Sequence, residues 1–496
     1  MIEHSPPDTE VVSLNHFTET VPGYQYSLGQ VILTLALILS ANVALRAVAQ
    51  VMKIMEPVFE GTIETPHWTT GRWWLLRLGY YMLCRPKDRA TDWIWIIDHS
   101  NQIGQERCLL ILGIRLQKLP PAGERLCLKD MEVIDLVPVV ESDKQIVFDQ
   151  LNAAAQKMDV PRAIIHDNGG DLAGGLALFR EQHPTTAGIY DITHKAACLL
   201  KARLEKDPTW KAFCTQTGQT KFQTQQTELA FLVPPSQRSK ARFMNLGPLI
   251  KWAQVALATI ERPPSEVLRH VAPERLEEKL GWLREYRKPL RDWSEMQQMI
   301  DVTVDFVRCN GHYRGSAEDL RRSIMPLYVN TPAQALRDEL VAFVEGESQK
   351  AQKGERLPGS SEVLESAFGK FKEIEGNQSK GGFTALLLAL PAILGGLTAD
   401  TVRKALEFAK TQDITKWIRD HLGESHQSKR RATYNAISGQ GKEPKPTAKK
   451  AAVANERRRA EKRGKKKICW SKHPPRAGRK RIKSGRKTSR KPVRDS

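Results

Sequence analysis

The hydrophobic pattern changes period twice along the chain. Residues 26–86 run at helical spacing. One candidate helix over 41–52 carries Val43, Leu45, Val48 and Val51. A second opens on Thr69-Thr70-Gly71 and carries Trp73, Leu76, Leu78, Tyr80 and Met82. From residue 91 the pattern becomes short apolar runs, predicting strands at 92–98, 106–116 and 131–140, the first two joined by a hairpin turn at 102–105. Ser142 then opens a helix to about residue 158, with Gln145 completing a capping-box pattern. A fourth strand over 161–167, a helix over 172–182, a fifth strand over 186–193 and a helix from His194 follow. Residues 200–350 lose the strand pattern and read as helical throughout. Past a loop at 356–360, residues 361–372 return to a helix.

Three strands, helix, strand, helix, strand predicts a mixed α/β core with a parallel section, interrupted by an all-helical insertion. The expected units are a helical domain over 1–88, a split core over 89–200 and 356–425, and an insertion over 201–355. The apolar runs at 31–45 and 383–397 fall short of the ~20 residues a membrane span needs. The first contains Ser40 and Asn42 and the second Pro391 and Gly395-Gly396, so both read as buried helices, the first broken near Ser40.

Charge changes this picture only at one end. The net charge is +20, yet residues 429–496 hold 26 Lys and Arg against four acids, which leaves the rest of the chain near −2. Residues 426–496 therefore read as a basic tail, disordered on its own, with salt-dependent affinity for polyanions. Seven cysteines without a CxxC pair argue against a zinc site or disulfide framework and for a reducing cytoplasm.

The candidate chemistry lies in three acids. Asp98 ends the run Trp93-Ile94-Trp95-Ile96-Ile97, Asp167 ends Ala163-Ile164-Ile165-His166, and Glu365 lies on the helix after the insertion. An acid at the end of a buried strand is poorly placed as a solvated charge, whereas hard divalent cations prefer oxygen ligands. In parallel sheets, active groups gather beyond the carboxyl ends of strands. Asp171 is the rival to Asp167, because Asp167-Asn168-Gly169-Gly170-Asp171 also reads as a tight turn. Glu362, one turn earlier on the same face, is the rival to Glu365. The tryptophans of the insertion read as core, the alternative being stacking on an unpaired base.

This strand order with acids at these places resembles the ribonuclease H-like core of DDE insertion-sequence transposases and integrases. Glu365 followed seven positions later by Lys372 is similar to the family's helical Glu and Lys, two turns apart on one face. The Tyr and Arg that often precede that Glu are replaced by Pro358 and Ser361. Asp191-Ile192-Thr193-His194 resembles the family's (Cys/Asp)-x-x-His motif. The resemblance implies that Asp98, Asp167 and Glu365 hold Mg²⁺ or Mn²⁺, two ions in all. Asp191, His194 and Lys372 would be accessory. It further implies cleavage at transposon ends and joining to target DNA by an oligomer assembled on double-stranded DNA, in the cytoplasm of a bacterium at the nucleoid, with no membrane partner. Thr69, Thr70 and Arg72, on a helix-turn-helix-like segment, and Lys370 with Lys372 are the expected DNA contacts; a plain helical domain is the alternative for the first three. Rival functions are a metal-dependent nuclease without strand transfer, a transposase-derived DNA-binding protein without chemistry, and a cationic membrane-surface protein.

Overall fold

The computed structural model describes residues 13–59, 63–101, 106–237, 243, 246–327, 331–377, 383–422 and 426–438. The expected turn at 102–105 and the basic stretch from 439 onward lie outside these residues.

Five strands form one mixed sheet: β1 (Trp93–Asn101), β2 (Arg107–Arg115), β3 (Glu132–Val139), β4 (Ala163–His166) and β5 (Ala187–Tyr190), in the order β3-β2-β1-β4-β5. β1, β2 and β3 are antiparallel neighbours, while β4 runs parallel to β1 and β5 parallel to β4. β1 reads as an unbroken apolar run because both faces of the sheet are covered. Trp93, Trp95 and Ile97 face α4 (Lys144–Met158) and α5 (Gly170–Gln182), whereas Ile94 and Ile96 face the opposite layer. α4 begins one residue later than expected. The Asp143 carboxylate accepts from the Ile146 N–H, and the Ser142 hydroxyl lies 3.3 Å from His99 Nε2 instead of capping. Either side chain could cap; position in the turn selects Asp143.

The opposite layer combines helices that precede the sheet in sequence with helices that follow the insertion. α1 (Leu28–Leu39), α2 (Leu45–Met55) and α3 (Trp68–Cys84) share one continuous apolar cluster with one face of the sheet and with the later helices. The break between α1 and α2 falls where expected, with Asn42 at a φ of 52°. The N-terminal helices therefore have no core of their own. α3, the segment expected to resemble a recognition helix, buries Trp74, Leu75, Leu76, Leu78 and Met82. At Gly79 it runs so close to the Leu388 carbonyl that an added Cβ would stand 1.7 Å from that oxygen. Thr69, Thr70 and Arg72 are half-buried on it.

α6 (Ile192–Leu204) leads from β5 into the helical insertion, which comprises α7 (Pro208–Thr224), α8 (Leu246–Glu261), α9 (Ser265–Leu268), α10 (Pro273–Leu280), α11 (Arg287–Asn310), α12 (Ser316–Ile324) and α13 (Thr331–Ser348). It has a separate apolar core. Trp210 and Trp293 sit edge to face at its centre, with ring centroids 4.9 Å apart, and Trp252 and Trp282 give their indole N–H groups to Leu232 and Thr220. Trp210 and Trp293 lie within this core, and Trp252 and Trp282 pack against it partly buried. The chain then returns to the layer of α1–α3 through α14 (Glu362–Gly376), α15 (Ala389–Leu394), α16 (Ala399–Phe408) and α17 (Thr411–His421). Within residues expected as tail, α18 (His426–Ile437) is helical. No described helix is long and apolar enough to cross a membrane.

Candidate active site

Register puts the acids in one row. Ile94, Trp95 and Ile96 of β1 pair with Ala163, Ile164 and Ile165 of β4. Asp98 on β1 and Asp167, the residue after β4, each lie two positions beyond the last pair, Ile96↔Ile165. The β4–β5 pairing, from Ala163↔Ala187 to His166↔Tyr190, extends in the same way to Asp167 and Asp191, and the Asp191 N–H donates to the His166 carbonyl at 3.0 Å. Register partners on parallel strands share a face, and neighbouring strands lie ~4.8 Å apart. All three aspartates thus follow Ile96, Ile165 and Ile189, whose face is covered by α14. Glu365 is in the first turn of that helix.

Electrostatics agree with this proximity. Asp98 has its carboxyl pushed up to about 7, first by burial, then by the Asp167 charge, with smaller contributions from Glu365 and Asp191 and an opposing hydrogen bond from the His99 N–H. Glu365 is raised by its low-dielectric surroundings and by Asp191 and Glu362, with Arg308 and Lys372 opposing. Although exposed by surface area, Glu365 lies among these charges. Two like carboxylates on adjacent strands disfavour joint ionisation, and a cation between them would reverse that. The donor set is all oxygen, which fits a hard divalent ion. Among the described residues, no three His, Cys, Asp or Glu side chains stand close enough together to hold a metal ion as they are placed. The aspartates each take a backbone donor: Asp98 Oδ1 accepts from the His99 N–H at 2.6 Å and Asp167 Oδ1 from the Gly169 N–H at 2.8 Å.

The rivals are engaged elsewhere. Asp171 pairs with Arg107 and lies 3.5 Å from His99 Nδ1. Glu362 is 2.8 Å from the Arg308 Nε. Asp191, 2% exposed, caps two segments at once: it accepts from the Thr193 and His194 N–H groups that start α6 and from the Ser361 N–H that precedes α14. Burial pushes its carboxyl up, against the pull of those three donors. The Ile192 N–H donates to the Gly359 carbonyl at 3.0 Å, and His312 and Leu357 exchange backbone hydrogen bonds across the loop that precedes α14. Gly359 is packed against His312, where a Cβ would stand 2.3 Å from Nε2. His194 sits in the first turn of α6, its ring 6.0 Å from that of Tyr190. Lys372 is exposed and Lys370 half-buried, with its ammonium lowered by burial.

Sequence reasoning missed Arg308 as a neighbour of this site, and it gave Ser361 and Thr193 no role of their own. Arg308 stands in the last turn of a long helix with no local motif around it, so only the fold could reveal it.

No family model matches the sequence, and no curated protein does. Among solved structures, the chain is similar to a Drosophila P element transposase strand transfer complex, at 12% identity and a TM-score of 0.35 over 78% of this chain and 95% of that one. So loose a likeness carries no functional argument.

Proposed function

We propose that this chain is a DNA transposase of the DDE type, which cleaves DNA at element ends and joins them to target DNA. The observation that carries the reading is that Asp98 and Asp167 each follow, by two positions, the Ile96↔Ile165 pair of two adjacent parallel strands, with the Glu365 helix covering that face. The strand order β3-β2-β1-β4-β5, three antiparallel and two parallel, is what a ribonuclease H-like core would have.

Asp98, Asp167 and Glu365 would hold Mg²⁺ or Mn²⁺, two ions being the number the resemblance implies. Such ions, when bound, would activate a water or 3′-hydroxyl and stabilise the leaving oxygen of an in-line displacement. The remaining roles belong to the chain. Asp191 would fix the start of α14 against the sheet and so set where Glu365 stands. Lys372, two turns from Glu365, and Lys370 would neutralise backbone phosphates. His194 would be an accessory group at the start of α6. Contact from Thr69, Thr70 and Arg72 would come from the first turn of α3, since much of that helix is spent on the core. The basic stretch 429–496 would add affinity without sequence preference. Joining two ends in concert would require more than one copy on DNA.

The test is nicking of supercoiled plasmid with Mg²⁺ or Mn²⁺. Asp98→Ala, Asp167→Ala and Glu365→Ala should each lower the rate by more than about 100-fold, beyond what loss of an outer-shell partner costs, while Asp171→Asn should keep it. Nicking and hydrolysis without any joined product would identify a nuclease. Equal inertness of wild type and Asp98→Ala would leave a DNA-binding protein without chemistry.

A further inference from the structure

Arg308 is the cation that the helical insertion delivers to the acidic site. It lies two residues before the end of α11, whose C-terminus is pinned to the loop leading into α14. Gly311, at a φ of 66°, leaves only 2.5 Å between an added Cβ and the Leu357 carbonyl, and the His312–Leu357 bridge follows at once. This anchoring brings the guanidinium between the starts of α6 and α14. Its Nε is 2.8 Å from Glu362 Oε2, its Nη2 donates to the Thr193 hydroxyl at 3.4 Å, and its charge acts on Glu365.

The guanidinium is poorly satisfied there. Its side chain is 21% exposed, and the Nε is buried without a hydrogen bond, since its approach to Glu362 is close but misaligned. The Thr193 contact is at the long limit for a hydrogen bond. An arginine has five N–H donors in a planar fork suited to two oxygens at once. A carboxylate seen off-axis and one distant hydroxyl leave the buried Nε without a hydrogen bond and the Nη2 with a weak one. The group that would use it is a bidentate oxyanion, and on the proposed function the oxyanion reaching this corner is a DNA backbone phosphate.

We infer that Arg308 is a phosphate-binding residue of the active site, held in the DNA-free protein by Glu362 as a stand-in carboxylate that the phosphate displaces. This rests on the transposase reading, and it makes the insertion part of the catalytic site. The competing explanation is a structural latch in which Arg308 and Glu362 tie the insertion to α14. The two differ in sign. A latch is broken equally by Arg308→Ala and Glu362→Gln. A phosphate site loses its cation in the first variant and its competitor in the second.

The experiment measures three things on the full chain and on Arg308→Ala, Arg308→Lys and Glu362→Gln: Mn²⁺-dependent nicking of supercoiled plasmid, binding to a linear duplex across a salt series, and the melting temperature. Arg308→Ala should weaken duplex binding about tenfold or more, as expected for hydrogen bonds to a charged group. It should also reduce the salt slope by about one. Arg308→Lys should recover part of the affinity but not the full nicking rate, because an ammonium cannot bind bidentately. Glu362→Gln should bind duplex about two- to fivefold more tightly, the scale of one partly exposed ion pair. Matching losses in Arg308→Ala and Glu362→Gln, with matching falls in melting temperature, would overturn the inference in favour of the latch. Unchanged binding and nicking in Arg308→Ala would overturn it while leaving the transposase reading intact. A wild type that neither nicks nor binds DNA would remove both.

Discussion

Asp98 combines three demands that rarely coincide at one residue: a place in a central strand, partial burial, and a second carboxylate on the neighbouring strand. Its raised carboxyl makes a signed prediction. In the folded chain it holds a proton up to about pH 7, whereas in the unfolded chain it gives it up near its ordinary value of 3.8. Folding therefore takes up a proton in that window. Metal-free protein loses stability as pH rises from about 4 to 7, and above 7 the loss is complete. His166, pushed down to about 4 by burial, and His312, pushed down to about 3, work in the opposite direction. The informative quantity is thus the difference between wild type and Asp98→Asn in chelator. The variant should be the more stable at pH 8, by some fraction of the ~4 kcal/mol that a shift of three pKa units represents, and the advantage should vanish near pH 4. Mn²⁺ should raise the melting temperature of wild type more at pH 8 than at pH 6, and leave Asp98→Asn nearly unmoved. A variant less stable than wild type at pH 8 would mean that Asp98 is a structural acid. The candidates Asp98 and Asp167 were legible because a carboxylate closing an apolar strand contradicts its surroundings. Arg308 was not, because nothing within its own helix sets it apart.

Among the elements, α3 shows how a local pattern can be read correctly and its use missed. The helix predicted from residue 69 forms, from Trp68 to Cys84. A polar start followed by apolar positions suits a recognition helix and a core helix equally. The choice was made by packing that involves residues some 300 positions away: Gly79 against the Leu388 backbone, and the α3 apolar side chains among those of α15 and α16. Gly79→Ala puts a methyl group into a backbone carbonyl, which cannot rotate aside. It should cost about 3 kcal/mol, the upper range for overpacking, read as a drop in melting temperature. A change within ~0.5 kcal/mol, the scale of a neutral surface substitution, would show that this crossing is loose. The start of α4 carries a smaller version of the same lesson. Ser142 and Asp143 are both good caps, and one residue of register decided between them.

At the scale of the whole molecule, the charge asymmetry and the split core make separate predictions. Ending the chain at Gln427 removes the strongly basic segment but none of the apolar clusters formed by the described residues. Such a chain should keep the melting temperature of the full protein while its duplex affinity falls and its salt slope flattens. An unchanged salt slope would place the nonspecific affinity elsewhere. Period and composition along the chain sufficed for the strands, the all-helical insertion and the basic end, because each reflects forces acting within a few residues: pleat, helical repeat and charge density. Whether Glu365 shares a face with Asp98 and Asp167 could be settled only by folding. That depends on strand register, on Asp191 binding the Ser361 N–H at the head of α14, and on α11 ending against the same loop, all of them contacts between residues far apart in the chain. Such contacts leave no periodic trace in a single sequence.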